Sequence, residues 1–210
     1  MIRVLIADDH AIVRKGMRQI VADHPEIEII GEADDYPAIS RAVRSLDFEV
    51  MLLDITMPSK NGLEVLKLVK QQKPQIAILM LSMHPQDQYA VRALKAGAAG
   101  YLTKDAAPER LVEAILTVAR GRKYITPELA EQLANAVTHD AEKPLHEQLS
   151  DREFQTIRLI ASGKKLAEIA EEMALSPKTV SVYRARVLEK MQMKTNAELA
   201  SYAVKHGLIE

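Results

Sequence analysis

Cysteine is absent from the 210 residues. That excludes disulfides, thiol catalysis and cysteine-held zinc, and it leaves a reducing compartment open. An excess of either charge is also missing: 28 lysines and arginines stand against 29 acids, a net charge of −1. A chain-wide basic field for nucleic acid is thereby excluded, although a local patch is not. No apolar run approaches the roughly 20 residues of a membrane helix. The opening stretch "MIRVLIADDH" has too short an apolar run for a secretory leader and no small-residue cleavage site. A soluble, cytoplasmic protein without a membrane partner is the expectation. There is no internal repeat and no low-complexity tract.

What is present is 48% hydrophobic residues, enough for a real core. In the first 120 positions, short runs rich in Val, Ile and Leu alternate with helical patterns. The runs are "IRVLIA" (2–7), "IEIIG" (27–31), "VMLL" (50–53), "IAILML" (76–81) and "GYLT" (100–103). They show little polar alternation, as strands covered on both faces of a parallel sheet do. Helical patterns follow near 11–23, 36–46, 62–72, 87–96 and 108–120. Five β-α repeats predict a doubly wound α/β domain over 1–121. Composition changes after Gly121. Thr126 and Pro127 predict a helix start over 127–137. The polar, proline-containing stretch 138–148 completes a linker, 122–148. From 149 to 210 the pattern is purely helical, with helices near 151–162, 166–173, 177–191 and 196–206. The pairs Ser150/Glu153 and Thr195/Glu198 have capping-box spacing.

Ligands of an open α/β sheet collect at the carboxyl ends of its strands. The predicted strands end in Asp8 and Asp9, in Asp54, in Ser82, and in Thr103 and Lys104. Any one of these has an ordinary reading: a strand-end Asp caps a helix, a lone Lys is solvated, a lone Ser is a turn residue. His10 reads as a loop residue. Jointly they put three carboxylates, a hydroxyl and an ammonium on one rim. Carboxylates crowded together raise one another's pKa. A hard divalent cation removes that cost, and an oxygen-rich site suits Mg²⁺. A carboxylate there can attack phosphorus, while Lys104 and Ser82 meet the phosphoryl oxygens.

The stretches "IADDH", "LLDITMPSKNGLEVL", "LMLSMH" and "AGAAGYLTKDA" resemble the receiver domain of bacterial two-component response regulators over residues 1–120. The resemblance implies that Asp54 is the phosphoacceptor and that Asp9 and Asp54 bind Mg²⁺. Asp8 would act through water, and the Thr56 backbone carbonyl would add a ligand. It further implies that Ser82 and Tyr101 form a switch pair and that Lys104 senses phosphate. Phosphorylation adds roughly −1.5 to −2 charge and three strong acceptors. Ser82 would be drawn toward it and Tyr101 would turn inward, reshaping the face of the fourth helix, fifth strand and fifth helix.

In the C-terminal part, "LAEIAEEMALSPKTVSVYRARVLEKM" holds two helices around a short turn. Val180, Tyr183, Val187 and Met191 share one face. Lys178, Val182, Ala185, Arg186 and Glu189 lie opposite, with Thr179 and Ser181 beside them. Over 176–194, Lys178, Arg184, Arg186, Lys190 and Lys194 face only Glu189, a local basic patch. From pattern alone this is either a solvated bundle helix or the second helix of a DNA-binding helix-turn-helix. "LSDRE", "EIA", "LSPKTVSVYRARVLEKM" and "ELASYAVKHGLI" resemble the LuxR-type output domain of the NarL/FixJ response regulators, nearest the GacA/UvrY branch. The candidate DNA contacts are then Ser176, Lys178, Thr179, Ser181, Val182, Tyr183, Arg184, Arg186 and Lys190. The chain departs from common relatives at Leu166-Ala167, Ser181 and Ala185.

The implied function is a transcriptional response regulator. A sensor histidine kinase phosphorylates it at Asp54 with Mg²⁺, and it then dimerises and binds double-stranded promoter DNA. It is no enzyme beyond phosphorylating and slowly dephosphorylating itself. A haloacid-dehalogenase-like phosphatase also uses an aspartyl nucleophile, but it needs an Asp where Thr56 stands. A receiver that acts by protein contact, with a vestigial DNA-binding tail, is the alternative.

Overall fold

The computed structural model describes residues 1–57, 60–83, 88–106, 108–138 and 144–209. The chain separates into two compact units, Met1–Leu133 and Ala134–Glu210. The division falls inside a helix, Pro127–Thr138.

The first unit is a five-stranded, all-parallel sheet in the order β2-β1-β3-β4-β5. Its strands are β1 (Ile2–Ala7), β2 (Ile27–Ala33), β3 (Val50–Asp54), β4 (Ala77–Ser82) and β5 (Gly100–Thr103). Between and after them run α1 (Ala11–Val21), α2 (Tyr36–Ser45), α3 (Gly62–Gln72), α4 (Gln88–Lys95) and α5 (Pro108–Ala119), then α6 (Pro127–Thr138). Alternate strand residues point to opposite faces. Val4, Ile6, Val50, Leu52, Leu79 and Leu81 form one core layer with Met17 and Val21 of α1 and Leu111, Ile115 and Val118 of α5. Leu5, Met51, Leu53, Ile78, Met80 and Tyr101 are equally buried, on the opposite side of the sheet.

Three strands differ from the sequence expectation: β3 runs one residue past its apolar run and takes in Asp54. β2 runs on to Ala33 because β1 and β2 pair with a register shift between Val4 and Leu5, which brings Ala33 opposite Ala7. β4 starts and ends one residue later than the apolar run, so Ser82 belongs to the strand and pairs with Thr103. After α5 the chain turns back, and Tyr124 bridges to Gly100 beside β5.

The second unit packs α7 (Asp151–Ala161) against α9 (Pro177–Lys190) and α10 (Asn196–Lys205), with α8 (Leu166–Glu172) against α9. A 3₁₀ turn, Leu145–Gln148, precedes them. Phe154, Ile157, Ile169, Met173, Val180, Val187, Met191 and Leu199 make its core. At α7 the capping box is complete: Ser150 accepts from the Glu153 N–H, and the Glu153 carboxylate accepts from the Ser150 N–H. At α10 only half of it forms. Thr195 accepts from the Glu198 N–H, but the Glu198 carboxylate takes the Lys194 N–H instead. Among the described residues, no helix is long and apolar enough to cross a membrane.

Candidate functional site

β1 and β3 pair Ala7 with Leu53, and β3 and β4 pair Asp54 with Leu81. This register delivers Asp8, Asp54 and Ser82 to one rim of the sheet, with Lys104 just beyond β5. Asp8 and Asp54 are essentially inaccessible, at 0% and 1% exposure, whereas Asp9 is exposed. The start of α3 lies directly against the end of β3: a β-carbon on Gly62 would sit 2.1 Å from the Asp54 carbonyl oxygen. No other residue fits there without moving the backbone. Asn61 caps the helix in a complete box with Glu64, which fixes this approach.

The Lys104 ammonium lies between the two buried carboxylates, 2.6 Å from Asp8 Oδ2 and 2.9 Å from Asp54 Oδ2. Apart from this ion pair, neither oxygen has a hydrogen-bond partner among the described residues. Each contact is worth about 6 kcal/mol at an effective dielectric of about 20. The repulsion between the two carboxylates, whose ligand oxygens lie within 4.8 Å, is about 3 kcal/mol or more on the same scale. One cation therefore holds the pair together. Burial raises the Asp54 carboxyl above its ordinary value; Lys104 opposes the rise, Asp8 adds to it, and a backbone hydrogen bond from Thr56 opposes it. For Lys104, burial alone would favour the neutral amine, but Asp54 and Asp8 outweigh it and the ammonium is stabilised.

Ser82 is buried, and its carbonyl accepts the Lys104 N–H at 2.7 Å. Tyr101 is already fully enclosed, at 0% exposure. Burial of its ring therefore does not by itself distinguish two states of a switch. Two further residues belong to the pocket. His10 Nδ1 is 2.7 Å from Asp9 and 3.3 Å from Asp8, and His10 joins Asp8, Asp9 and Asp54 as a group with metal-ligating geometry. Arg14 donates to the Asp8 carbonyl at 2.7 Å while its Nε holds Glu32. The position of His10 straight after two aspartates was the available signal. Nothing in the sequence pairs Arg14 with β1. The four ligand groups fit a divalent cation, since two of them are buried anions with oxygens that a single ammonium shares.

In the second unit, Ser176 caps α9 by accepting the Thr179 N–H at 3.1 Å, and Pro177 takes the first turn. Val180 and Val187 are buried and Tyr183 is half-buried. Lys178, Ser181, Ala185, Arg186 and Glu189 are exposed, and Val182 is 45% exposed. Thr179 is half-buried at the cap. Two cations of the basic patch hold other partners. Arg184 donates to Asn196 at 2.7 Å, and Lys190 pairs with the buried Glu153 at 2.6 Å. Their partners lie 12 and 37 residues away in the chain, beyond the reach of any helical spacing.

Residues 4–116 match the family model "Response regulator receiver domain", and residues 147–203 match "Bacterial regulatory proteins, luxR family". The response regulator GacA of Pseudomonas aeruginosa is 37% identical over 214 residues, covering 100% of this chain and 99% of its own. UvrY of Escherichia coli K12 is 37% identical over 209 residues, covering 99% and 96%. Among solved structures, RcsB from Salmonella enterica serovar Typhimurium, bound to promoter rprA in the presence of the phosphomimetic BeF₃⁻, aligns at a TM-score of 0.65. It is 26% identical, covering 96% of this chain and 97% of that one.

Proposed function

The chain belongs to the response regulators, with a receiver domain followed by a LuxR-type DNA-binding domain, and from that premise we propose that Asp54 receives a phosphoryl group from a sensor histidine kinase and thereby controls promoter binding by a homodimer in the cytoplasm. The observation that carries the reading is the Asp54 carboxylate, 1% exposed at a strand end and facing Asp8 and Lys104. An Asp54 oxygen attacks phosphorus, a new O–P bond forms, and the N–P bond to the kinase histidine breaks. Asp8, Asp9, Asp54 and the Thr56 carbonyl would hold Mg²⁺, which when bound neutralises charge on the carboxylates and on the phosphoryl oxygens. Lys104 supplies a second positive charge from within the chain. Ser82 donates to a phosphoryl oxygen, and Tyr101 follows it. Burial excludes bulk water from the aspartate, which strengthens each of these contacts.

For the output domain, the exposed face of α9 enters the major groove, and the free N–H groups at its start approach phosphate. Among the described residues, Lys178 and Arg186 are the cations of that face with no hydrogen-bond or ion-pair partner. Val182 is placed to touch a thymine methyl. Arg184 and Lys190, tied to Asn196 and Glu153, orient α9 and hold fewer contacts of their own. RcsB has been captured on promoter DNA with a phosphomimetic, which supports the same coupling here. The domains run over 1–121 and 149–210, with 122–148 as linker.

The test is DNA affinity and dimer population across salt, with phosphorylation followed by intact mass. Wild type with a small phosphodonor and Mg²⁺ gains one phosphoryl group, dimerises and binds DNA more tightly. Asp54→Asn takes up none. Lys178→Ala and Arg186→Ala each lower the salt slope by about 1. Complete phosphorylation with no change in dimerisation or affinity overturns the switch. No DNA binding in any state would favour a receiver that acts by protein contact.

A further inference from the structure

The rim opposite Asp54 holds a cavity of about 440 Å³. It lies where strands β3, β4 and β5 begin, between Glu49, Ala77 and Ala99 on one side and the turn after α5 on the other. A five-residue strand such as β3 is about 16 Å long, so the cavity is separate from the acidic pocket.

Four cations line it: Lys70, Lys73, Arg122 and Lys123. Lys70 and Lys73 come from the end of α3. Arg122 and Lys123 come from the strap that returns to bridge Gly100 through Tyr124. Backbone carbonyls in the loops before β3, β4 and β5 hold the three lysines. Lys70 Nζ donates to Ile76 at 2.6 Å and to Pro74 at 3.0 Å, Lys73 reaches Leu46 at 3.4 Å, and Lys123 donates to Ala98. Among the described residues, none of the four has a carboxylate at ion-pair distance. The acids in the wall, Asp47 and Glu49, pair instead with Arg3, at 2.8 and 3.5 Å. Burial lowers the Lys70 pKa, and the nearby Lys123 charge lowers it further. Phe48 and Val118 lie at the floor of the same cavity, 5% and 1% exposed. The wall thus carries four cations against two acids that already hold Arg3, and a bound anion would relieve the repulsion between Lys70 and Lys123.

We infer that this cavity binds a small ligand carrying two or more phosphoryl groups on an apolar body, of nucleoside-diphosphate size. The volume matches ligand pockets of that class. Lysine ammoniums held by carbonyls keep further N–H donors for phosphate. The apolar floor takes the ring.

Calorimetry on the full chain in EDTA, with ADP, pyrophosphate and adenosine as probes, tests this. EDTA keeps divalent cations from bridging the phosphates to Asp54. ADP is expected to bind saturably, pyrophosphate more weakly, and adenosine not at all. Arg122→Gln/Lys123→Gln, both exposed in the fold, should weaken ADP at least about tenfold. Lys70→Gln should do the same, with its melting curve recorded. If Lys70→Gln unfolds, the exposed pair alone decides. Lys178→Ala/Arg186→Ala, which strips cations from the DNA-facing helix, should keep ADP binding. No saturable binding overturns the site. So does binding that survives the pocket substitutions, or binding lost only when the α9 cations are removed.

Discussion

Replacing Lys104 by methionine would leave Asp8 Oδ2 and Asp54 Oδ2 facing each other with no counter-charge, both in a site closed to water. Breaking a buried ion pair from one side costs about 3–5 kcal/mol. Lys104→Met should therefore lower the melting temperature of the receiver in EDTA. Excess Mg²⁺ should then recover more stability in the variant than in wild type, up to about 2.7 kcal/mol at a hundredfold excess over its dissociation constant. Thermal unfolding with and without Mg²⁺ measures both; no Mg²⁺ response in either protein would argue against a cation at these aspartates. A second single-residue effect sits at Ala174, between α8 and α9, whose φ of +51° is left-handed. An alanine β-carbon costs about 1–2 kcal/mol there. Ala174→Gly should stabilise the output domain by about 0.5–1 kcal/mol, once the looser unfolded chain is counted. Denaturant titration reads the change, and a destabilised variant would contradict the strain. The left-handed turn at Ala174 is not legible from residue type alone. The three aspartates and Lys104 could be read from strand ends, because a strand end fixes where a side chain emerges. His10 stands straight after two aspartates, but its place in the cluster depends on how its ring turns back to Asp9.

At the scale of elements, the strands announced themselves through apolar runs of the right length, and the helices through their caps. Their bounds moved by a residue or two where pairing decided them, as at Ala33 and Ser82. The Glu153–Lys190 pair, which ties the cap of α7 to the end of α9, was invisible because 37 residues separate its members. It carries a pH dependence. Burial alone would raise the Glu153 carboxyl. The Lys190 ammonium and the Ser150 hydrogen bonds outweigh burial, so it titrates below its ordinary value of 4.5. A carboxyl with a lowered folded pKa contributes its stability above the unfolded value. It loses that contribution as pH falls through the lower folded value. Glu153→Gln should therefore cost about 1–2 kcal/mol near neutrality. The gap between variant and wild type should close as pH drops below 4.5. Urea midpoints at several pH values follow it. A gap that stays constant with pH would show that Glu153 acts by shape and not by charge.

For the molecule as a whole, the first protease cut is expected within 138–148, a stretch of which 139–143 lies outside the described residues. Polar, proline-containing backbone with few apolar anchors is the usual site of nicking. Two folded fragments should result, measured by mass and by separate melting of each. A first cut within 50–100 would contradict the two-unit division. The sheet itself has a consequence for how copies of this chain behave when crowded. Its outer strands are β2 and β5. β2 carries Glu28 and Glu32 and follows an irregular register along β1. β5 is four residues long, and Tyr124 already bridges to it at Gly100. Charge, irregularity, shortness and a covering strap are the devices that stop one sheet from extending into the next. The two edges of the sheet therefore offer little open backbone to a neighbouring copy.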